Sequence, residues 1–222
     1  SNSTGTREAT IAFVSGSNAG TGRTWLTGVG AWSNDNDFIV ANVGSSPPIK
    51  LLVQQNGNVG IGTTQPEEKL HVAGRIKCRV LEIDGGSDLS EQFNLNAHAS
   101  SPDYRPGMVV SIDPDNPGGL LVSRQAYDRK VAGIISGAGG VKPGMIMGQD
   151  GSPVNGDVPV ALTGRVYCMA DASGAPIEPG DLLTTSNLPG HAMKVTDYQK
   201  AQGAILGKAL SPLKEGRDLI LV

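Results

Sequence analysis

Turn-forming dipeptides recur so often along this chain that a helix of ordinary length has almost nowhere to form. Asn56-Gly57, Pro106-Gly107, Pro143-Gly144, Pro179-Gly180 and Pro189-Gly190 punctuate it. Each pairs a residue suited to a tight turn with a glycine that accepts positive φ. Short apolar runs lie between such signals, at 10–14, 37–41 and 49–53. The stretch from Gly16 to Gly30 is too rich in Gly, Thr and Asn for a helix. Short runs bounded by turns predict an all-β chain.

The side chains available to those strands are small. Thirty-one glycines and fourteen prolines occur in 222 residues without a collagen period, and only 4% of residues are aromatic. Strands with so few bulky residues bury little apolar area, so a lone chain would be weakly held, and packing against identical copies is one remedy. A net charge of −3 is too small for disorder and supplies no basic footprint for nucleic acid. No apolar run approaches the roughly 20 residues that span a bilayer, so membrane insertion is not expected. The opening Ser1-Asn2-Ser3 has neither the basic nor the apolar region of a signal peptide.

In the middle of the first half, Asn56-Gly57 sits between apolar runs and predicts a hairpin with a type I′ turn. Val59, Ile61, Leu70 and Val72 alternate with small or polar residues, as in a half-buried strand. Gly60 and Gly62 would allow backbones to approach closely, near an axis shared by several chains. The run Asn56-Gly57-Asn58-Val59-Gly60-Ile61-Gly62-Thr63-Thr64-Gln65-Pro66, then Lys69-Leu70-His71-Val72-Ala73-Gly74, resembles the shaft signature of phage tail fibres, neck appendages and related bacterial surface fibres. The resemblance implies a homotrimer, with Asn56, Gly57, Val59, Gly60, Ile61, Gly62, Pro66, Leu70, His71 and Val72 as its shaft motif. It also implies an extracellular setting, in a virion tail fibre or a cell-surface fibre.

The expected organisation is a glycine-rich, intertwined β-shaft or small head over 1–86, a linker or short helix over 87–105, and a compact β-barrel or sandwich over 106–222. Ser87-Asp88-Leu89-Ser90-Glu91 offers a helix cap with a glutamate a turn later. The last part carries an internal repeat: Pro106-Gly107-Met108-Val109-Val110 returns as Pro179-Gly180-Asp181-Leu182-Leu183. Some 25 residues after each, Val131-Ala132-Gly133-Ile134-Ile135 is echoed by Gln202-Gly203-Ala204-Ile205-Leu206. This part resembles the C-terminal domains that follow fibre shafts, some of them self-cleaving intramolecular chaperones.

Little in the chain has the pattern of a catalytic or metal centre. Cys78 and Cys168 have neither zinc nor disulfide-framework spacing and are expected to be buried thiols. Among the three histidines, His71 is expected to pack in the shaft, His98 to be solvated and His191 to lie on a surface turn. Asp113-Pro114-Asp115-Asn116-Pro117-Gly118-Gly119 has clustered oxygens but not the spacing of a calcium loop, and reads as a turn. Ser186 with Lys194, or Ser136 with Lys142, are the pairs a self-cleavage reaction would use. Neither spacing is diagnostic, so no catalytic residue, metal or cofactor is assigned. Arg23, Trp25 and Trp32 are the candidates for contact with a cell-surface receptor or glycan, since aromatics on loops favour binding. The expected function is therefore a non-enzymatic, adhesive fibre module. A trimer-registering chaperone and a polysaccharide-degrading tailspike are the alternatives.

Overall fold

The computed structural model describes residues 9–15, 23–29, 37–42, 44–46, 48–96, 104–148, 151–152 and 155–222. The chain is all-β and divides into two compact units, 1–81 and 82–222.

In the first unit β1 (Ala9–Ser15), β2 (Arg23–Val29), β3 (Phe38–Asn42), β4 (Ile49–Val53), β5 (Val59–Ile61) and β6 (Leu70–Val72) form one sheet in sequence order. All neighbours are antiparallel except β5 and β6. The hairpin at Asn56-Gly57 forms, but not with a type I′ turn. That turn needs positive φ at both central residues, whereas only Gly57, at φ 84°, is positive. The Gly57 N–H donates to the Gln54 carbonyl at 2.8 Å, and the Asn56 side-chain oxygen accepts from the Asn58 N–H at 2.8 Å. The loop is thus a tight turn followed by a left-handed glycine. Gly60 does make a close backbone approach, but within its own chain: a Cβ there would run into the Thr63 carbonyl oxygen.

The second unit consists of two open sheets. One has the order β11-β7-β12-β10-β8-β9, from β7 (Asp88–Phe93), β8 (Val109–Ile112), β9 (Leu120–Val122), β10 (Val131–Ile135), β11 (Met145–Met147) and β12 (Val158–Gly164). The other has the order β16-β14-β15-β13-β17, from β13 (Tyr167–Asp171), β14 (Leu182–Thr185), β15 (Ala192–Lys194), β16 (Ile205–Lys208) and β17 (Arg217–Leu221). Neither closes into a barrel. Segments similar in sequence occupy matching places: β10 and β9 flank β8 as β16 and β15 flank β14, all antiparallel.

Where a linker or short helix was expected over 87–105, residues 88–93 form β7, paired antiparallel with β12 and parallel with β11. Its inward residues are Asp88 and Ser90, both buried. An apolar alternation is therefore missing from the sequence. The Asp88 carbonyl and carboxylate both accept from the Gly144 N–H, at 2.9 and 3.3 Å, which satisfies the buried acid.

The main core joins both sheets of the second unit. Val109, Ile134 and Ala161 come from one, and Cys168, Ala170, Leu183, Ala192 and Ile220 from the other. Small residues fill much of it, which lets the sheets close tightly over few large side chains. A lone chain was expected to be weakly held, yet this unit buries a core of its own between its two sheets. Cys168 is wholly buried as expected, and burial pushes its thiol up to about 12. Only the thiolate attacks alkylating reagents, so Cys168 should resist iodoacetamide in native protein and react once denaturant opens the unit. Mass spectrometry of modified peptides checks this; native labelling at Cys168 would contradict the core assignment. Cys78, by contrast, is exposed, against expectation.

Candidate interaction surface

Paired residues in adjacent strands point to the same face of a sheet, so the register of the first unit sorts its side chains. On one face Ile39, Leu52, Gly60 and His71 line up, with Ala41 and Ile49 alongside. Ile39, Ala41, Ile49 and Leu52 are buried and form the small core of this unit.

The other face is also apolar, and it is uncovered. Val29, Phe38, Val53, Val59 and Leu70 make one row across five strands. Ile11, Thr27, Val40, Leu51, Ile61 and Val72 make the next row across all six, and Phe13 pairs with Trp25 beyond it. Ile11 is 62% exposed, Phe13 58%, Leu70 57%, Ile61 44%, Phe38 42% and Trp25 39%. These six leave on the order of 500 Å² of apolar surface in water. Monomers seldom tolerate apolar patches beyond a few hundred Å².

The shaft-motif residues thus divide between the two faces. Val59, Ile61, Leu70 and Val72 belong to the uncovered rows, while Gly60 and His71 lie on the inner row. Asn56 and Pro66 organise the crossover between β5 and β6: the Lys69 ammonium donates to the Asn56 carbonyl at 2.8 Å, and the Asn58 amide donates to the Pro66 carbonyl at 3.2 Å. Gly62 adopts φ 76° where the chain leaves β5. Among the candidate receptor contacts, Trp25 lies in the apolar face beside Phe13 rather than on a loop. Arg23 opens β2 opposite Ser15, and only its backbone is described. Trp32 and His98 lie outside the described residues.

A second feature follows β6. From Arg75 to Gly86 the backbone makes no hydrogen bond with any described residue. Ile76, Val80, Leu81 and Ile83 on this stretch are 69%, 83%, 65% and 43% exposed. Ile76, Cys78 and Val80 alternate with Arg75, Lys77 and Arg79, the pattern of a strand with one face ready for burial. Sequence reasoning passed over this segment, although the alternation was there to be read.

The pairs considered for self-cleavage are poorly set up for it. Ser186 and Lys194 line one cavity of about 280 Å³, but the Lys194 ammonium is 2.8 Å from the Asp181 carboxylate. That partner raises the lysine above its ordinary value, whereas a Ser–Lys base must shed its proton. The Ser136 hydroxyl is buried with no hydrogen-bond partner among the described residues, Lys142 included. No group of three or more metal-ligating side chains occurs among the described residues, and no described helix is long and apolar enough to cross a membrane.

Asp113 is the hub of its turn. Its carboxylate accepts from the Asn96 and Asn116 amides at 2.8 and 2.9 Å and from the Asp115 N–H at 2.9 Å. Hydrogen bonds, that from Asn116 foremost, hold this carboxyl below its ordinary value. A depressed folded-state value stabilises above the unfolded value and is lost as pH falls through the folded one. Asp113→Asn should therefore flatten the loss of stability below about pH 4, read by urea unfolding at stepped pH. An acid limb of unchanged steepness would show that the turn does not depend on the charge.

Tyr127, which the sequence did not single out, is the one non-glycine described residue with positive φ, at 57°. Its hydroxyl accepts from the Thr196 and Asp197 N–H groups at 3.1 and 3.0 Å, clamping the loop after β9 to the segment after β15. His191, expected on the surface, is buried because its turn docks on β8: the Val109 N–H donates to the Gly190 carbonyl at 2.9 Å. No protein-family model matches the chain, and no curated protein matches it either.

Proposed function

We propose that this chain is a structural and adhesive module of a homotrimeric extracellular fibre, whose first unit assembles with its copies and which binds a cell-surface receptor or glycan. The uncovered apolar face of the first unit supports this reading. A sheet that is apolar on both sides, with one side in water, needs a partner of matching chemistry. A second copy supplies it at no cost in extra sequence. The strand-like stretch 75–86, whose backbone pairs with no described residue, is a second surface for the same partners. The shaft-like motif runs through β5 and β6 and puts its four large apolar residues on the uncovered face.

Multi-angle light scattering on purified protein tests this directly. The expected mass is that of three chains, and it should persist on dilution to micromolar concentration. A particle of one chain would overturn the proposal. Oxidative cross-linking through the exposed Cys78 supplies a second readout, since three-fold packing of residues 75–86 brings the thiols of neighbouring copies to one level. Disulfide-linked pairs are expected.

A further inference from the structure

Charge is unevenly shared along this chain. From Lys69 to Leu81 there are four cations and no acid, whereas the whole chain is −3. The remainder therefore carries −7, and the small net figure hides a local basic patch. Lys69 is engaged at the crossover, where its ammonium donates to the Asn56 carbonyl. Arg75, Lys77 and Arg79 are not engaged. All three are exposed, and none makes an ion pair or a hydrogen bond with any described residue, Glu82 and Asp84 included.

Alternate residues of a strand lie on opposite sides and recur about every 6.6 Å along each side. The alternation of Arg75, Lys77 and Arg79 with Ile76, Cys78 and Val80 therefore sorts cations to one side and apolar groups to the other. Copies that pack through the apolar side leave the cations facing outward. Three copies at one level set nine of them in a collar. A row of unpaired cations is matched by a polymer of anions, and such rows are a known mark of nucleic-acid or heparin-like patches.

The surrounding sequence separates those two polymers. Single-stranded nucleic acid is held by aromatic side chains that stack on its bases as well as by cations. No Phe, Trp or Tyr occurs between Phe38 and Phe93, so this stretch has no stacking platform. A polysaccharide needs none. We infer that residues 75–79 bind a densely sulfated polysaccharide. Arg75 and Arg79 each offer a sulfate two parallel hydrogen bonds, and Lys77 adds a point charge between them. A spacing of about 6.6 Å calls for an anion on nearly every sugar. Sulfate esters reach that density, whereas one carboxylate on alternate sugars does not.

This inference gives the adhesive role a ligand class and rests on assembly only for the number of cations presented together. Calorimetric titration of the intact chain with heparin at stepped sodium chloride provides the test. Binding should weaken steeply with salt, because each cation that meets the polymer releases counterions. Arg75→Gln, Lys77→Gln and Arg79→Gln combined should weaken it by about a hundredfold at low salt, at about fivefold for each cation set against an anionic surface. Arg165→Gln, Lys208→Gln and Lys214→Gln combined remove the same charge from exposed residues of the second unit and should leave the affinity nearly unchanged. Hyaluronate, with a carboxylate on alternate sugars, and a single-stranded oligonucleotide should each bind at least about tenfold more weakly than heparin. No binding, equal losses in the two triple variants, or a competitor as tight as heparin would overturn the site. Light scattering keeps this inference apart from the assembly. Heparin binding by a particle of one chain would keep the site and remove the trimer; a trimer that ignores heparin would do the reverse. If the variant at 75, 77 and 79 itself fell to single chains, these cations would be holding copies together and the site would fall.

Discussion

Lysines placed at Phe38 and Ile61 together should convert the assembly to single chains, with the fold of the second unit unchanged. Both residues lie on the uncovered face, one in each of its two long rows, and neither contributes to the small core of Ile39, Ala41, Ile49 and Leu52. At 42% and 44% exposure in the single chain, both side chains can become lysine without disturbing their own strands. Within an interface the outcome differs. Each copy would forfeit about 2 kcal/mol of apolar burial per site. Each would also bring two charges into a dry contact, at several kcal/mol apiece unless they are paired. Three copies multiply the loss. The expected light-scattering mass falls to one chain, while urea unfolding of the second unit keeps its midpoint. A control pair of lysines on exposed residues of the second unit, Leu210 and Tyr198 (50% and 72% exposed), should leave the mass unchanged. If the Phe38 and Ile61 variant keeps the parental mass, the copies do not meet through this face.

The strands of the first unit were legible because their apolar runs are bounded by turn residues. The run at 49–53 became β4, and the run at 37–41 became β3 one residue later. Which face is buried was not legible. Alternation at 59–61 and 70–72 says only that two faces differ; the burial of Leu52 and the exposure of Ile61 follow from what lies over each, a tertiary fact. β7 escaped because its buried positions are Asp88 and Ser90, and the rule that apolar means inward fails where a buried acid finds N–H donors. The turn at Asn56-Gly57 was recognised as a turn, but its type depends on the φ of Asn56, which the dipeptide alone does not determine. The cavity beside β17 in the second unit was invisible in sequence for a different reason. Its residues come from positions 105, 169, 188, 191 and 217–219, brought together by the packing of β13 against β17 and the turn before β15.

Truncating Leu183 to alanine should lower the stability of the second unit by about 3 kcal/mol. Leu183 on β14 is fully buried in a core cluster where the small residues Ala170, Ala192, Ala209 and Cys168 lie among Val109, Ile134, Ile177 and Ile220. The small residues are the reason to expect a large loss. A core lined by long, flexible side chains can relax into a vacated space, whereas alanines have no rotamers with which to do so. Only a backbone shift would fill the cavity, and β14 is held on both edges by β15 and β16. The cavity therefore stays open, and its cost adds to the lost transfer energy. The same tightness predicts that enlarging Ala170 to leucine costs about 1–3 kcal/mol through overpacking. Leu210→Ala, at a half-exposed position, should stay within about 0.5 kcal/mol of the parent. Chemical denaturation of the three variants separates the possibilities. A loss below about 1 kcal/mol for Leu183→Ala would mean that the sheets of the second unit close by other contacts than those of their small-residue core.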